Sequence, residues 1–270
     1  MKRLLNLIFT ALLGCVLTIG LAGCNRLDNT HRPLRVGVVS GPEADLLKVA
    51  KNLLEKQHGV LIKVIEFSDY HLINAALHDG SLDANMFQHQ PYLEIELQHK
   101  HYPFFIMGKT FYYPSGIYAS KLKNLAQLQP GALVAIANDP TNEGRALLLL
   151  EKAGLIKLNP AVGFLATPKA IQYNPKNLRF KELDAAQLTR ALQDVDIAVI
   201  NTNYAVLAKL YPSRDALFTE DKYSPYANVV VVREKDKDKP QLKQLVAALH
   251  AAEVVEAANS LFQGEAIPAW

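Results

Sequence analysis

Arg145 lies inside "AIANDPTNEGRALLLL" (residues 135–150), where a short apolar strand gives way, through a polar corner, to an apolar helix. A guanidinium presents its donors in a rigid fork that matches a carboxylate. A carboxylate near a helix N-terminus also meets unpaired backbone N–H groups and a favourable dipole. The same spacing permits a plainer role, an ion pair with Asp139 or Glu143 that fastens the corner. Asp139, Pro140 and Thr141 supply the cap and a stiff first turn in either case.

Other corners carry side chains suited to lining a small-molecule site. "MFQHQPYLE" contributes Phe87, His89 and Tyr92, aromatic faces with a ring nitrogen and a hydroxyl at their edges. Phe87 serves a stacked core equally well, and a lone histidine is more often neither ligand nor base. Tyr70 in "FSDYH" and Asn201 in "VINTN" each follow an expected strand, with Asn203 just beyond, while Asn228 precedes a run of valines. An asparagine amide both donates and accepts, which suits the two ends of a zwitterion. Asn201 or Asn203 can instead cap the helix that follows.

The same inspection turns up little that points to catalysis or to a bound metal. There is no Gly-x-Ser-x-Gly elbow and no phosphate-cradling glycine loop, and "VVSGPEAD" has one glycine turn, too little for a dinucleotide fingerprint. His99 and His101 lie near His89 in sequence, but without metal-ligand spacing. No cofactor, no metal and no enzymatic role are expected.

The elements that must position these residues alternate in type. "LRVGVVSG", "EADLLKVAKNLLEKQHG" and "VLIKVIEF" read as strand, helix and strand, the helix stopping at Gly59. "LINAALHDGSLDANMF" follows as helix, turn and strand. The pattern restarts with "ALVAIAND", "EGRALLLLEKAGLI" and "LRFKELDAAQLTRALQDVDIAVINTNYA". "ANVVVVRE" adds a strand, "REKDKDKPQLKQ" a solvated turn and helix start, and the chain ends in one or two helices. Alternation at this spacing predicts an α/β fold of two lobes, each a mostly parallel sheet flanked by helices, facing each other across a cleft. Open sheets hold ligands beyond the carboxyl ends of their strands, where the polar corners lie.

The first residues stand apart. "MKRLLNLIFTALLGCVLTIGLAGC" has Lys2 and Arg3, an uncharged apolar run, then Ala22-Gly23-Cys24, the layout of an export signal. Its Leu-Ala-Gly-Cys ending resembles the bacterial lipobox, which implies a signal peptide over residues 1–23, a lipidated Cys24 and a polar tether over 24–33. Of the two cysteines, Cys15 and Cys24, only Cys24 survives cleavage, so no intramolecular disulfide is available. Losing Lys2 and Arg3 lowers the formal charge from +3 to +1. So small an excess gives no case for nucleic acid as a partner.

"VGVVSGPEADLLKVA", "FSDYHLINAALHDGSLDANMFQHQPYLE", "NDPTNEGRALLLLEKAGLIKL", "AVINTNYA" and "SPYANVVVVRE" together resemble the methionine-binding lipoproteins of bacterial ABC importers, and the ending "VVEAANSLFQGEAIPAW" agrees. The resemblance spans nearly all of Leu34 to Trp270. It implies a type II-like periplasmic-binding-protein fold, with residues 34–114 and 225–270 in one lobe and 115–224 in the other. It further implies that Arg145 takes the carboxylate of free methionine and that Asn201 and Asn228 bond its polar groups. Tyr70, Phe87, His89 and Tyr92 would surround the side chain and its approach. The implied partners are an importer permease with its ATPase and, through the lipid, a membrane of the cell envelope, with the body a monomer in the periplasm or at the cell surface. One departure is Ile73, where members commonly have proline. Other readings are a binder of another small apolar amino acid or of a methionine-containing dipeptide, and a surface scaffold or adhesin with the same fold.

Overall fold

The computed structural model describes residues 32–221 and 225–270, and residues 33–270 form one compact unit. The expected signal segment, Cys24 and all but the last two residues of the tether lie outside the described residues. None of the described helices is long and apolar enough to cross a membrane.

In chain order the first elements are β1 (Leu34–Val39), α1 (Pro42–His58), β2 (Ile62–Phe67), α2 (Ile73–His78), β3 (Ala84–Asn85), α3 (Gln90–Lys100), β4 (Phe104–Tyr112) and β5 (Gly116–Tyr118). Then come β6 (Leu133–Ala137), α4 (Pro140–Lys152), β7 (Lys157–Leu158), β8 (Ile171–Tyr173), β9 (Arg179–Leu183), α5 (Leu188–Ala191), β10 (Ile197–Ile200), α6 (Thr202–Leu207), α7 (Pro212–Asp215) and β11 (Phe218–Thr219). The chain finishes with β12 (Ala227–Arg233), α8 (Pro240–Leu249), α9 (Ala252–Leu261) and β13 (Ile267–Pro268).

Local signals explain where the helices that carry the site begin and end. Pro42 opens α1 with Glu43 and Asp45 in its first turn, and Gly59 stops it in the left-handed conformation at φ 65°. Asp139 caps α4 by accepting the Asn142 N–H, with Pro140 as the first helical residue. Gly144 in α4 has a separate reason. A Cβ there would stand 2.0 Å from the Phe164 carbonyl oxygen, so only glycine lets that backbone approach.

The strands form two main sheets, ordered β13-β4-β12-β3-β1-β2 and β11-β5-β10-β6-β9, and β7 pairs with β8 apart from them. The expectation of mostly parallel sheets needs correction. β1 runs parallel to β2 and β3, but β12 is antiparallel to both β3 and β4, and β13 is antiparallel to β4. In the second sheet β6 is parallel to β9 and β10, while β5 is antiparallel to β10 and β11. The cause is the path of the chain. It leaves the first sheet after β4 and returns as β12, so strands bordering these crossings enter from the opposite end.

Ala44, Leu47, Ala50 and Leu54 of α1 pack with Leu242, Leu245 and Leu249 of α8 over the first sheet. Another cluster draws on both sheets, joining Val39, Ile73, Leu77, Val229 and Val231 to Ala135, Ala198, Ile200 and Tyr204. Burial of each large aliphatic side chain contributes roughly 1.5–3 kcal/mol. Ile73, the departure from the family pattern, is fully buried at the start of α2. The "REKDKDKPQLKQ" segment forms a 3-10 turn before α8, but it is not wholly solvated, since Arg233 and Asp236 are buried.

Candidate functional site

The corners after β2, β3, β6 and β10 converge with the N-terminus of α1 and the start of β12. They enclose about 390 Å³ of empty space, open solvent at its mouth included. All seven residues singled out for a ligand, Tyr70, Phe87, His89, Tyr92, Arg145, Asn201 and Asn228, line this one cavity.

One wall is aromatic. The Tyr70 ring lies 5.8 Å from Phe87, 6.2 Å from Tyr92 and 5.3 Å from Tyr204, and Phe87 meets Tyr92 edge-on at 5.8 Å. Such tilted and edge contacts are favourable arrangements for ring quadrupoles. A carboxamide cluster holds the Phe87 corner from behind. Gln88 Nε2 donates to Asn74 Oδ1 at 2.7 Å and to Asn85 Oδ1 at 3.0 Å, and Asn74 Nδ2 donates back to Gln88 Oε1 at 2.9 Å. These groups are buried, so leaving one unpaired would cost about 1–3 kcal/mol.

His89 caps α3. Its Nδ1 accepts the Tyr92 N–H at 3.1 Å, which puts the proton on Nε2, 3.4 Å from Asn142 Oδ1. Burial, assisted by the charge of Arg145, pushes its pKa down to about 3, so the ring is neutral at physiological pH. Its role here is positional: neutral, it fixes the start of α3 and faces Asn142.

Asn142 ties the polar end together. Its Nδ2 donates to both oxygens of Asp139, at 3.0 and 2.9 Å, which leaves Oδ1 to accept Asn201 Nδ2 at 2.8 Å. Asn201 sits at the N-cap position of α6 but makes no side-chain cap bond, and its amide is turned to the site instead. Asn203 accepts the Tyr70 hydroxyl at 3.0 Å, while its own Nδ2 is buried without a partner. On the exposed side, His71 Nε2 meets Asp184 at 2.5 Å, so the segment leaving β2 reaches the second sheet's elements twice.

Arg145 is not fastened by Asp139 or Glu143. Its fork grips Glu220, Nε to Oε1 at 2.8 Å and Nη2 to Oε2 at 2.5 Å, and Nη2 also donates to the Tyr113 carbonyl. Burial works against the guanidinium charge, but Glu220 more than offsets it and holds the pKa above the ordinary arginine range. Tyr226 lies beneath the guanidinium, 4.3 Å from ring centre to Cζ. Nη1 has no hydrogen-bond partner among the described residues, and Arg145 borders the cavity.

Other lining residues were not singled out beforehand: Glu43, Gln88, Tyr113, Asn142 and Thr202. Glu43 Oε1 accepts Asn228 Nδ2 at 2.8 Å. An acid in the first turn of a helix is fully accounted for by the helix dipole, so nothing local marks Glu43 as special. Glu220 lies in a short irregular stretch after β11 and carries no motif. Asn142 alone was within reach, because it stands one turn before Arg145 on the same helix.

The family model described as NlpA lipoprotein matches residues 34–270. The D-methionine-binding lipoprotein MetQ of Salmonella typhimurium is 45% identical over 264 residues, 97% of each chain. A periplasmic substrate-binding protein of an ABC transporter from Coxiella burnetii is 55% identical, with a TM-score of 0.85 over 87% of this chain and 100% of its own. A nutrient-binding protein from Burkholderia cenocepacia, solved bound to methionine, is 47% identical, with a TM-score of 0.86 over 88% and 100%. With a model match from Leu34 to the last residue, and relatives this similar along almost their whole length, the chain belongs to the NlpA lipoprotein family and has its two-lobed binding-protein fold.

Proposed function

We propose that the protein captures methionine between its two sheets and hands it to the permease of an ABC importer. The observation that carries this reading is the polarity of the cavity. Its lining combines the aromatic faces of Tyr70, Phe87 and Tyr92 with polar groups, Arg145 with its uncommitted Nη1 and the amides of Asn201 and Asn228. A thioether is apolar, flexible and polarisable, and it packs well against ring edges. Nη1 offers two N–H donors to a carboxylate in a dry setting, where a charge-assisted bond is strong. Binding proteins named for methionine among the relatives support the choice of side chain.

Residues 34–114 and 225–270 form one lobe on this reading and 115–224 the other. Contacts such as Tyr70–Asn203 and His71–Asp184 belong to the closed form. A ligand that touches both lobes binds the closed form more tightly and so shifts the population toward it. Cys24 carries the lipid that holds the body at a membrane of the cell envelope, where a second acyl chain makes anchoring durable. The body acts as a monomer, and its partners are the permease and its ATPase.

The test is native mass spectrometry of residues 25–270 purified without added ligand, followed by calorimetric titration with L- and D-methionine and with leucine. A retained mass equal to methionine, absent from Arg145→Ala, is the expected result. An empty protein that takes up neither enantiomer overturns the transport reading, and tighter binding of leucine replaces its substrate.

A further inference from the structure

Among the residues lining the cavity is an acid in an unfavourable place for a charge. Glu43 is 2% exposed, at the second position of the seventeen-residue helix α1, and its one hydrogen bond with sound geometry comes from the neutral amide of Asn228. Tyr113 and Asn203 line the same cavity and are each 6% exposed; Asn203 buries an amide nitrogen with no hydrogen-bond partner, and the Tyr113 hydroxyl meets only the Glu43 carboxyl, without sound hydrogen-bond geometry. Buried polar atoms left this way are costly in a finished core. Here they face the space that a ligand fills.

The charged and titratable groups around Glu43 do not supply a counter-ion. Tyr70, Tyr113 and Tyr204 face it and are neutral, their hydroxyls pushed up by burial. His89, whose backbone bridges to Asn228, is neutral as well. Arg145 is already matched by Glu220, and Asp139 is committed to the α4 corner. Burial therefore pushes Glu43 up to about 8, with the Asn228 amide and the Tyr113 hydroxyl opposing it weakly. In the absence of ligand at neutral pH its carboxyl keeps its proton.

We propose that Glu43 receives the α-ammonium group of the ligand and gives up its proton to solvent as the ligand enters, so that capture of a free amino acid is coupled to release of one proton. The inference rests on the methionine reading above and adds the group that recognises the amine. An arriving ammonium supplies the opposite charge that the site lacks, and the dipole at the start of α1 favours the ionised carboxylate once that charge is present. No bond is made or broken except O–H. The neutral acid and the ammonium become a carboxylate–ammonium pair, and the proton goes to the buffer. A ligand without the amine gains nothing from Glu43, so the same group would discriminate amino acids from simple carboxylic acids.

Calorimetry on residues 25–270 decides this, with L-methionine titrated in buffers of different ionisation enthalpy. Close to one proton should be released per methionine at neutral pH. Affinity should rise about tenfold per pH unit between pH 6 and 7, where the free amino acid's own groups keep their charge. The amine-less analogue 4-(methylthio)butanoate should bind far more weakly and release no proton, and Glu43→Gln should abolish proton release with methionine. Methionine binding without proton release, at equal affinity across that pH range, sinks the inference while leaving the transport reading intact. Proton release that persists in Glu43→Gln assigns it to another group and also overturns the proposal. Failure of the wild-type protein to bind methionine at all overturns both.

Discussion

Arg145 and Arg233 are both at least nine-tenths buried, and each is paired with a carboxylate. Arg233 spends every nitrogen on the protein. Nε donates to Asp236 at 2.7 Å, Nη1 to the carbonyls of Leu77 and Leu82, and Nη2 lies 3.5 Å from Asp83. Arg145 commits Nε and Nη2 to Glu220 and Tyr113, its Nη1 has no hydrogen-bond partner among the described residues, and it borders the cavity. A buried guanidinium with all its donors used joins segments together. One with a spare nitrogen beside a cavity still has donors to offer, which suits it to receive a carboxylate. Residue type, burial and ion pairing do not separate the two, whereas a count of uncommitted donors does.

Removing each arginine in turn should tell them apart by binding, since both changes leave buried partners unpaired and lower stability. Arg145→Ala should cost about 2–5 kcal/mol of methionine affinity, roughly 30-fold to several-thousand-fold in Kd by calorimetry, because it deletes a buried charge partner. Arg233→Ala should leave the affinity of the folded protein unchanged. It strands two carbonyls and leaves Asp236 to Lys239 alone, at about 1–3 kcal/mol of stability, so the melting temperature should fall on the order of 5 °C. A Kd raised by Arg233→Ala as much as by Arg145→Ala would break the distinction.

Two acids near Arg145 and the cavity, Glu220 and Glu43, sharpen the contrast. Glu220 has a guanidinium and Glu43 has only an amide. Glu43 titrates near 8 when folded against 4.5 as the ordinary value. Below the lower value both states carry the proton and nothing is lost. As pH rises through the window, the unfolded chain ionises while the folded protein does not, so stability of the ligand-free protein falls by on the order of 3 kcal/mol. Glu43→Gln should remove that decline, which melting curves against pH would read directly; parallel curves for variant and wild type would contradict it. The smallest effect belongs to the exposed His71–Asp184 pair. The His71 side chain is 56% exposed against Asp184, so His71→Ala should weaken methionine binding by no more than about 1 kcal/mol, seen as faster release in stopped flow.

Much of the site's outline was legible beforehand because it lies in local signals. Asp139-Pro140 announces the start of α4, Gly59 the end of α1, and the corners after β2, β3, β6 and β10 are rich in Tyr, Asn and His where strands give out. Partners were much less legible. Arg145 has acids two and six residues before it that invite a local pair, yet its carboxylate comes from a position seventy-five residues later in the chain. Glu43 satisfied every local rule for a helix start, which hid it. Arg233 sits in a charged run whose neighbours are solvated, and only the fold carries it inside.

The sequence by itself determined the alternation of strands and helices, the caps, and the residue types gathered at the strand ends, because each follows from periodicity and from bonds reaching three or four residues. Only the tertiary structure decided that the sheets are mixed, which carboxylate neutralises which arginine, and that Glu43 is buried with an amide instead of a counter-ion. Those outcomes depend on desolvation and on distances between segments far apart in the chain, and neither is written in any short stretch of residues.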